Sequence, residues 1–142
     1  MTATSPCIAL IVAAGHGTRA GEGRPKQYRL VGGTSVLRRT IEAFASHPAI
    51  TQVQVVITPD HRPLYDEVTN GLTLPSPIVG GETRQESVRR GLEGLVHTDP
   101  ALVLIHDAAR PFVSAEAITA TIDALKTHDG AIPVLAVADT LK

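Results

Sequence analysis

The sequence predicts a doubly wound α/β domain, a mostly parallel sheet covered by helices on both faces. Three observations carry that reading. Short apolar runs alternate along the whole length with segments of helical periodicity. The first run, residues 8–12, holds no polar side chain, as a strand buried on both faces requires. Glycine- and charge-bearing motifs follow the strands at their carboxyl ends, where open α/β sheets bind ligands.

Taken in order, strand 8–12 stops in small residues and glycines: Ala13, Ala14, Gly15, Gly17, Gly21 and Gly23. No helix-forming run begins before about Thr34; from there Leu37, Ile41, Phe44 and Ala45 share one helical face. Residues 53–57 form the next strand and 78–79 a short one. Thr83, with Glu86 three positions on, matches a capping box at the head of a helix whose apolar face is Val88, Leu92 and Leu95. Residues 101–105 form a strand. Ser114 followed by Glu116 marks another helix start, with Ile118, Ile122 and Leu125 inward. Residues 131–135 read as a last strand, which Pro133 makes an edge or irregular one. The order β-α-β-α-β-α-β-α-β forces crossover connections and hence parallel strands. The 142 residues suit one domain, with no internal repeat, linker or low-complexity tract.

Composition narrows the function classes. With 43% hydrophobic and 19% charged residues the chain has the make-up of an ordinary globular domain. A formal net charge of -1 argues against a nucleic-acid partner, which calls for a basic excess. No apolar run is long enough to span a membrane, and the N-terminus lacks the pattern of a signal peptide. The single cysteine, Cys7, has no partner for an internal disulfide and reads as a small packed residue in a reducing compartment; the cytoplasm is the expected location. His16, His47, His61, His97, His106 and His128 show no paired ligand spacing, so a structural zinc site is not expected.

The glycine loop after the first strand carries Arg19, Arg24 and Lys26 close behind it. Small residues let backbone N–H groups approach a ligand, and fixed positive charge beside them favours a polyphosphate. The competing reading is an ordinary glycine-rich turn; the added cations and Pro25-Lys26 argue against it. A dinucleotide fingerprint needs Gly-x-Gly-x-x-Gly opening into a helix, whereas Gly15-x-Gly17 runs on into Thr18, Arg19 and Ala20. Asp60 also lies too far along the chain for the acidic ribose contact of such sites. A P-loop is excluded because no Gly-Lys-Ser/Thr ends the loop.

Two further motifs follow later strands. In the stretch 80–88, Gly80 and Gly81 allow close approach to a flat ligand, and the helix behind them presents unpaired N–H groups. A turn plus a capped helix is the plainer alternative. In the stretch 106–111, Asp107 stands at a strand end among small residues, placed for a metal–triphosphate complex or a polyol hydroxyl, with Arg110 three residues on. A surface ion pair is the plainer alternative there. His106 reads as a packed strand-end residue.

The combination Ala13-Ala14-Gly15-x-Gly17-x-Arg19 followed by Pro25-Lys26-Gln27 resembles the signature of nucleotidyltransferases that activate sugar and polyol phosphates. With Tyr28 it resembles the 2-C-methyl-D-erythritol 4-phosphate cytidylyltransferase family of non-mevalonate isoprenoid synthesis, over the whole stretch from Ile8 to Lys142. The resemblance implies a nucleotidyltransferase, Rossmann-like fold and transfer of a cytidylyl group from CTP to the polyol phosphate, with pyrophosphate leaving. Fixed cations and Mg²⁺ supply most of the stabilisation in such a reaction. The acceptor, a phosphate monoester with a second pKa at about 6, needs no general base. Lys26 is then expected on the α-phosphate and Arg19 on the phosphates across the reacting centre, with the backbone of Ala13, Ala14, Gly15 and Gly17 around the nucleotide.

The same resemblance makes Gly81, Glu82 and Ser87 the readers of the cytosine edge, mainly through backbone groups. The family often has Asp where this chain has Glu82, a change that a backbone contact would survive. Asp107 is implied for Mg²⁺ or substrate, Arg110 for the acceptor, and Thr140 for the acceptor near the chain's end. Family members continue well beyond the counterpart of Lys142, with an arm that builds a homodimer, an arginine crossing to the partner's acceptor site, and a second catalytic lysine near an aspartate. The sequence is therefore expected to be truncated at its C-terminus. The stretches 84–87 and 105–111 also resemble bifunctional forms fused to a cyclodiphosphate synthase. Two alternatives stay open: a cytidylyltransferase for another polyol phosphate such as ribitol 5-phosphate, and a CTP-binding fragment without turnover.

Overall fold

A computed structural model describes residues 6–15 and 23–136. Along the chain run β1 (Cys7–Ala13), a short hairpin of β2 (Leu30–Val31) and β3 (Thr34–Ser35), α1 (Val36–Ala45), β4 (Gln52–Ile57), α2 (Arg62–Val68), β5 (Ile78–Val79), α3 (Arg84–Gly94), β6 (Leu102–Asp107) and α4 (Ala115–Ala124). The main sheet has the order β5-β4-β1-β6, and every pairing in it is parallel. The first crossovers step one way, from β1 to β4 to β5. The next returns to the opposite side of β1, so the carboxyl ends of β1 and β6 flank the point where the winding reverses. Ligands of open α/β sheets bind at that point.

Side-chain alternation along β1 divides the core in two. Cys7, Ala9, Ile11 and Ala13 face Leu37, Ile41 and Phe44 of α1, Tyr65 and Val68 of α2, and Ile118 of α4. Ile8 and Leu10 face the other way, with Val56 and Leu95, on the side α3 covers. Cys7 is the small packed residue expected. Ser35, Thr83 and Ser114 cap α1, α3 and α4, their side-chain oxygens accepting from N–H groups three residues on at 3.1–3.2 Å.

Several sequence expectations need correction. Of the expected stripe Val88, Leu92 and Leu95, Leu95 is buried just past the helix, but within α3 the buried residues are Ser87 and Gly91, and Leu92 is 38% exposed. A Cβ on Gly91 would lie 2.8 Å from Leu10 Cδ2 and 2.9 Å from Val56 Cγ2. The helix backbone itself rests on the sheet, which only small residues allow. Ala45 of α1 is exposed, and the hairpin of β2 and β3 was not foreseen.

Residues 131–135 form no strand: Ile132, Val134 and Leu135 are 78–94% exposed, and the stretch pairs with no described strand. Pro133 offers no N–H to a ladder, and apolar character alone does not make a strand without a paired edge. The strand expected at 101–105 starts one residue later and runs on to Asp107, so His106 and Asp107 are its last members. Among the described residues no helix is long and apolar enough to cross a membrane.

Candidate active site

The backbone leaving β1 is tied down at three successive carbonyls. Gln27 Nε2 donates to Ala13 O and to Gly15 O, each at 3.0 Å. Thr58, just past β4, donates its hydroxyl to Ala14 O at 2.9 Å. Gln27 and Thr58 are both buried, and the bonds to Ala13 O and Ala14 O lie out of competition with water, while the one to Gly15 O is half-buried. The direction in which the loop leaves the strand is therefore fixed.

Gln27 is placed by a single 3₁₀ turn, Lys26–Tyr28, which Pro25 opens with its preset φ; Tyr28 N–H donates back to Pro25 O at 2.9 Å. The turn sorts its three side chains. Gln27 and Tyr28 go inward, the Tyr28 ring standing edge-on to His61 with centroids 5.4 Å apart, while Lys26 faces solvent. The Lys26 ammonium makes no hydrogen bond or ion pair among the described residues. Arg24, in contrast, spends its charge on Glu67. Of these two cations, Lys26 is the one left to meet an anion.

The second wall is the bend between β5 and α3. Gly80 N–H donates to Ile57 O at 2.9 Å and extends the ladder. A Cβ on Gly80 would sit 2.5 Å from Ala14 Cβ and 2.7 Å from Ser87 Oγ, so the backbone here touches the loop from β1 directly. Ser87, buried, accepts from Gly81 N–H at 3.1 Å and donates to Thr83 O at 2.9 Å. Glu86 accepts from Glu82 N–H at 3.1 Å, and Arg90 clamps both Gly80 O (2.9 Å) and Glu86 Oε1 (2.6 Å).

The capping box is thus half as expected. Thr83 caps Glu86 N–H, but the carboxylate reaches one residue further back, to Glu82. That N–H bond, and then Arg90, hold the Glu86 carboxyl below the usual carboxylate range. The N–H groups of Gly81 and Glu82 are engaged within the wall itself. Carbonyl oxygens, with two lone pairs each, keep capacity for a ligand's amino group.

At the end of β6, Asp107 sits between two guanidinium groups. Arg84 approaches Oδ1 with Nε at 3.0 Å and a terminal nitrogen at 2.9 Å; Arg110 Nε approaches Oδ2 at 3.2 Å. Burial pushes the Asp107 carboxyl up, and the hydrogen bonds and charges of Arg84 and Arg110 outweigh it, leaving the group below its ordinary value. The turn beyond is anchored by Ala108 N–H on Val12 O (3.0 Å) and by Thr40 donating to Ala108 O (2.9 Å). His106 packs its ring on Phe44 at 4.9 Å and bonds Arg110 O at 2.8 Å, as a strand-end packing residue would.

For a divalent cation, the described residues bring no three His, Cys, Asp or Glu side chains together. Mg²⁺ is commonly held by one or two carboxylates plus substrate phosphates and water. Asp107 is a carboxylate at the switch point, and with Arg84 on Oδ1 and Arg110 on Oδ2 it has only the remaining lone pairs to give a cation.

The structure therefore joins Ala13, Ala14 and Gly15 to the wall of Gly80, Gly81, Glu82 and Ser87, and links that wall to Asp107 and Arg110. Lys26 is tied to the first loop through its neighbour Gln27. Gly17, Arg19 and Thr140 lie outside the described residues. Sequence reasoning missed Gln27, Thr58, Arg84 and Arg90 as anchors, and it read Glu86 only as part of a capping box. Gln27 stood beside Lys26 in the quoted motif; Thr58, Arg84 and Arg90 reach Ala14 O, Asp107 and Gly80 O, 10 to 44 residues away, and no local signal pointed to them.

Residues 7–142 match the family model for 2-C-methyl-D-erythritol 4-phosphate cytidylyltransferase. A bifunctional enzyme IspD/IspF of Rhizorhabdus wittichii is 53% identical over 141 residues, which cover 99% of this chain and 36% of that protein. One from Nitrobacter winogradskyi is 48% identical over 142 residues, again 36% of its length. The chain thus spans about a third of the length of the curated relatives it matches. Among solved structures, a 4-diphosphocytidyl-2C-methyl-D-erythritol synthase superposes with a TM-score of 0.79 at 36% identity, covering 97% of this chain and 63% of that one. The bifunctional IspDF of Campylobacter jejuni superposes at 0.78 with 26% identity, covering 97% and 35%. By the family model and these identities, the chain belongs to the 2-C-methyl-D-erythritol 4-phosphate cytidylyltransferase family.

Proposed function

We propose that the protein transfers a cytidylyl group from CTP to 2-C-methyl-D-erythritol 4-phosphate, forming 4-diphosphocytidyl-2-C-methyl-D-erythritol and pyrophosphate. Beyond family membership, one observation carries this reading. Lys26, whose ammonium has no partner among the described residues, stands on a turn whose next residue fixes the backbone leaving β1. A phosphate oxygen of the acceptor attacks the α-phosphorus, and the bond to the β-phosphate oxygen breaks. Charge builds on the non-bridging oxygens of the five-coordinate transition state, and a cation already in place stabilises it without reorganisation.

In this reading Lys26 neutralises the α-phosphate, and Arg19 the phosphates beyond it. Backbone N–H groups around Ala13, Ala14, Gly15 and Gly17 line the nucleotide. The wall of Gly81, Glu82 and Ser87 reads the base; its carbonyls accept from the 4-amino group of cytosine, which distinguishes CTP from UTP. Asp107, Arg110 and Thr140 serve the acceptor. Mg²⁺, when bound through the nucleotide phosphates and Asp107, supplies further charge neutralisation. A homodimer in the cytoplasm is the setting proposed, with no nucleic acid and no membrane among its partners.

The test is pyrophosphate release by the full-length protein with CTP and Mg²⁺, with and without the methylerythritol phosphate. Release that depends on this acceptor and exceeds release with ribitol 5-phosphate is the expected result. Equal release with either acceptor, or none, overturns the reading.

A further inference from the structure

Arg84 is the first residue of α3, and its backbone belongs to the wall at 80–87. Its side chain does not stay there. It crosses to β6, 23 residues on in sequence, and places Nε and a terminal nitrogen on a single oxygen of Asp107, at 3.0 and 2.9 Å. The second oxygen is left for Arg110 Nε at 3.2 Å. Arg110 is 75% exposed at its side chain and makes no other side-chain hydrogen bond among the described residues. Its guanidinium is therefore oriented by Asp107, while its two terminal nitrogens have no hydrogen-bond partner among the described residues. Asp107 in turn is oriented by Arg84.

We propose that Arg84 is a positioning residue for the acceptor side of the site: it holds the Asp107 carboxylate so that Arg110 presents its terminal nitrogens to the anionic acceptor. This rests on the cytidylyl-transfer reading above. The chemistry suits the task. A guanidinium is a rigid planar fork that fixes a carboxylate in orientation as well as in position, which an ammonium does not. Without it, a carboxylate with one exposed partner explores several rotamers, and Arg110 goes with it. The Arg84 guanidinium is engaged with Asp107, so its effect is on presentation of the acceptor. Its position at the head of α3 also links the two halves of the site, because the segment that forms the base wall is the one that launches the side chain.

The experiment compares the full-length wild type with Arg84→Gln and Arg84→Lys, alone and combined with Asp107→Asn. Arg84→Gln should raise KM for the acceptor about three- to fivefold, with KM for CTP moving less than twofold, in line with a half-exposed ion pair. Arg84→Lys should recover part of the loss, and the Arg84→Gln effect should vanish in the Asp107→Asn background. Equal rises in both KM values, or full additivity with Asp107→Asn, overturns the proposal. A crystal structure of Arg84→Gln supplies a readout independent of turnover. Loss of the Asp107–Arg110 pair supports the proposal, and the pair kept in place refutes it. A wild type without acceptor-dependent release, but with the pair lost in the variant, indicts the functional reading alone.

Discussion

Replacing Gln27 by methionine removes one amide group and little volume, and so isolates the tether on the first loop. In the structure that amide donates to Ala13 O and Gly15 O, both at 3.0 Å, from a side chain 4% exposed. Each neutral hydrogen bond is worth about 1 kcal/mol net, and a carbonyl stranded out of water costs about 1–3 kcal/mol. Ala13 O is the more deeply buried acceptor, while Gly15 is exposed and can turn to water. The expected loss is therefore about 2 kcal/mol rather than the sum of two full penalties. Gln27→Glu should lose more, since it has no donor for either carbonyl and brings a charge to a buried position.

The assays are urea unfolding of the full-length variants and kcat/KM for pyrophosphate release. If the tether places Lys26 and the loop, kcat/KM should fall about tenfold or more, because small misplacements of catalytic groups are costly. Gln27→Met within about 0.5 kcal/mol of wild type, with activity intact, would refute the tethering argument.

Other consequences follow from packing and charge. Gly91→Leu should destabilise by about 3 kcal/mol or more through overlap with Leu10 and Val56, and Gly91→Ala by about 1–2 kcal/mol, read by the same unfolding curves. Tyr28 buries a hydroxyl that has no hydrogen-bond partner among the described residues, so Tyr28→Phe should be neutral or stabilising by up to about 1 kcal/mol. Glu86 is held below its ordinary value in the folded protein by Glu82 N–H and Arg90. Its contribution is present above the usual carboxylate range and is lost as pH falls through the depressed value. Glu86→Gln should therefore lower the unfolding midpoint at neutral pH, and the gap to wild type should close in acid.

Much of the fold was legible because β1 writes its environment in its sequence: the five apolar residues 8–12, with no polar side chain among them, suit a strand between two layers of helices. The caps at Thr83 and Ser114 were legible for a related reason, since a capping bond spans three residues and leaves a local pattern. The face of α3 was misread because periodicity weighs large apolar residues. Here the contact is made by Ser87 and Gly91, whose value lies in what they lack. Residues 131–135 were misread because strand character needs an edge to pair with, which no local window contains.

The site divides along the same line. Its motif residues, Ala13 to Gly15, Lys26, Gly81 and Asp107, stand at strand ends and in the bends beyond them, where spacing reveals them. Gln27, Thr58, Arg84 and Arg90 act on groups from 10 to 44 residues away in sequence. Only the three-dimensional arrangement pairs them.

The central claim is that Lys26 is a preset cation for the transferring phosphate, and one comparison reaches it directly: acceptor-dependent pyrophosphate release by wild type and by Lys26→Ala, at saturating CTP and acceptor. Because the lysine side chain makes no bond among the described residues, its loss should leave the unfolding midpoint unchanged. If it stabilises charge in the transition state, kcat should fall by about two to three orders of magnitude. Undiminished release from a folded Lys26→Ala would contradict that role.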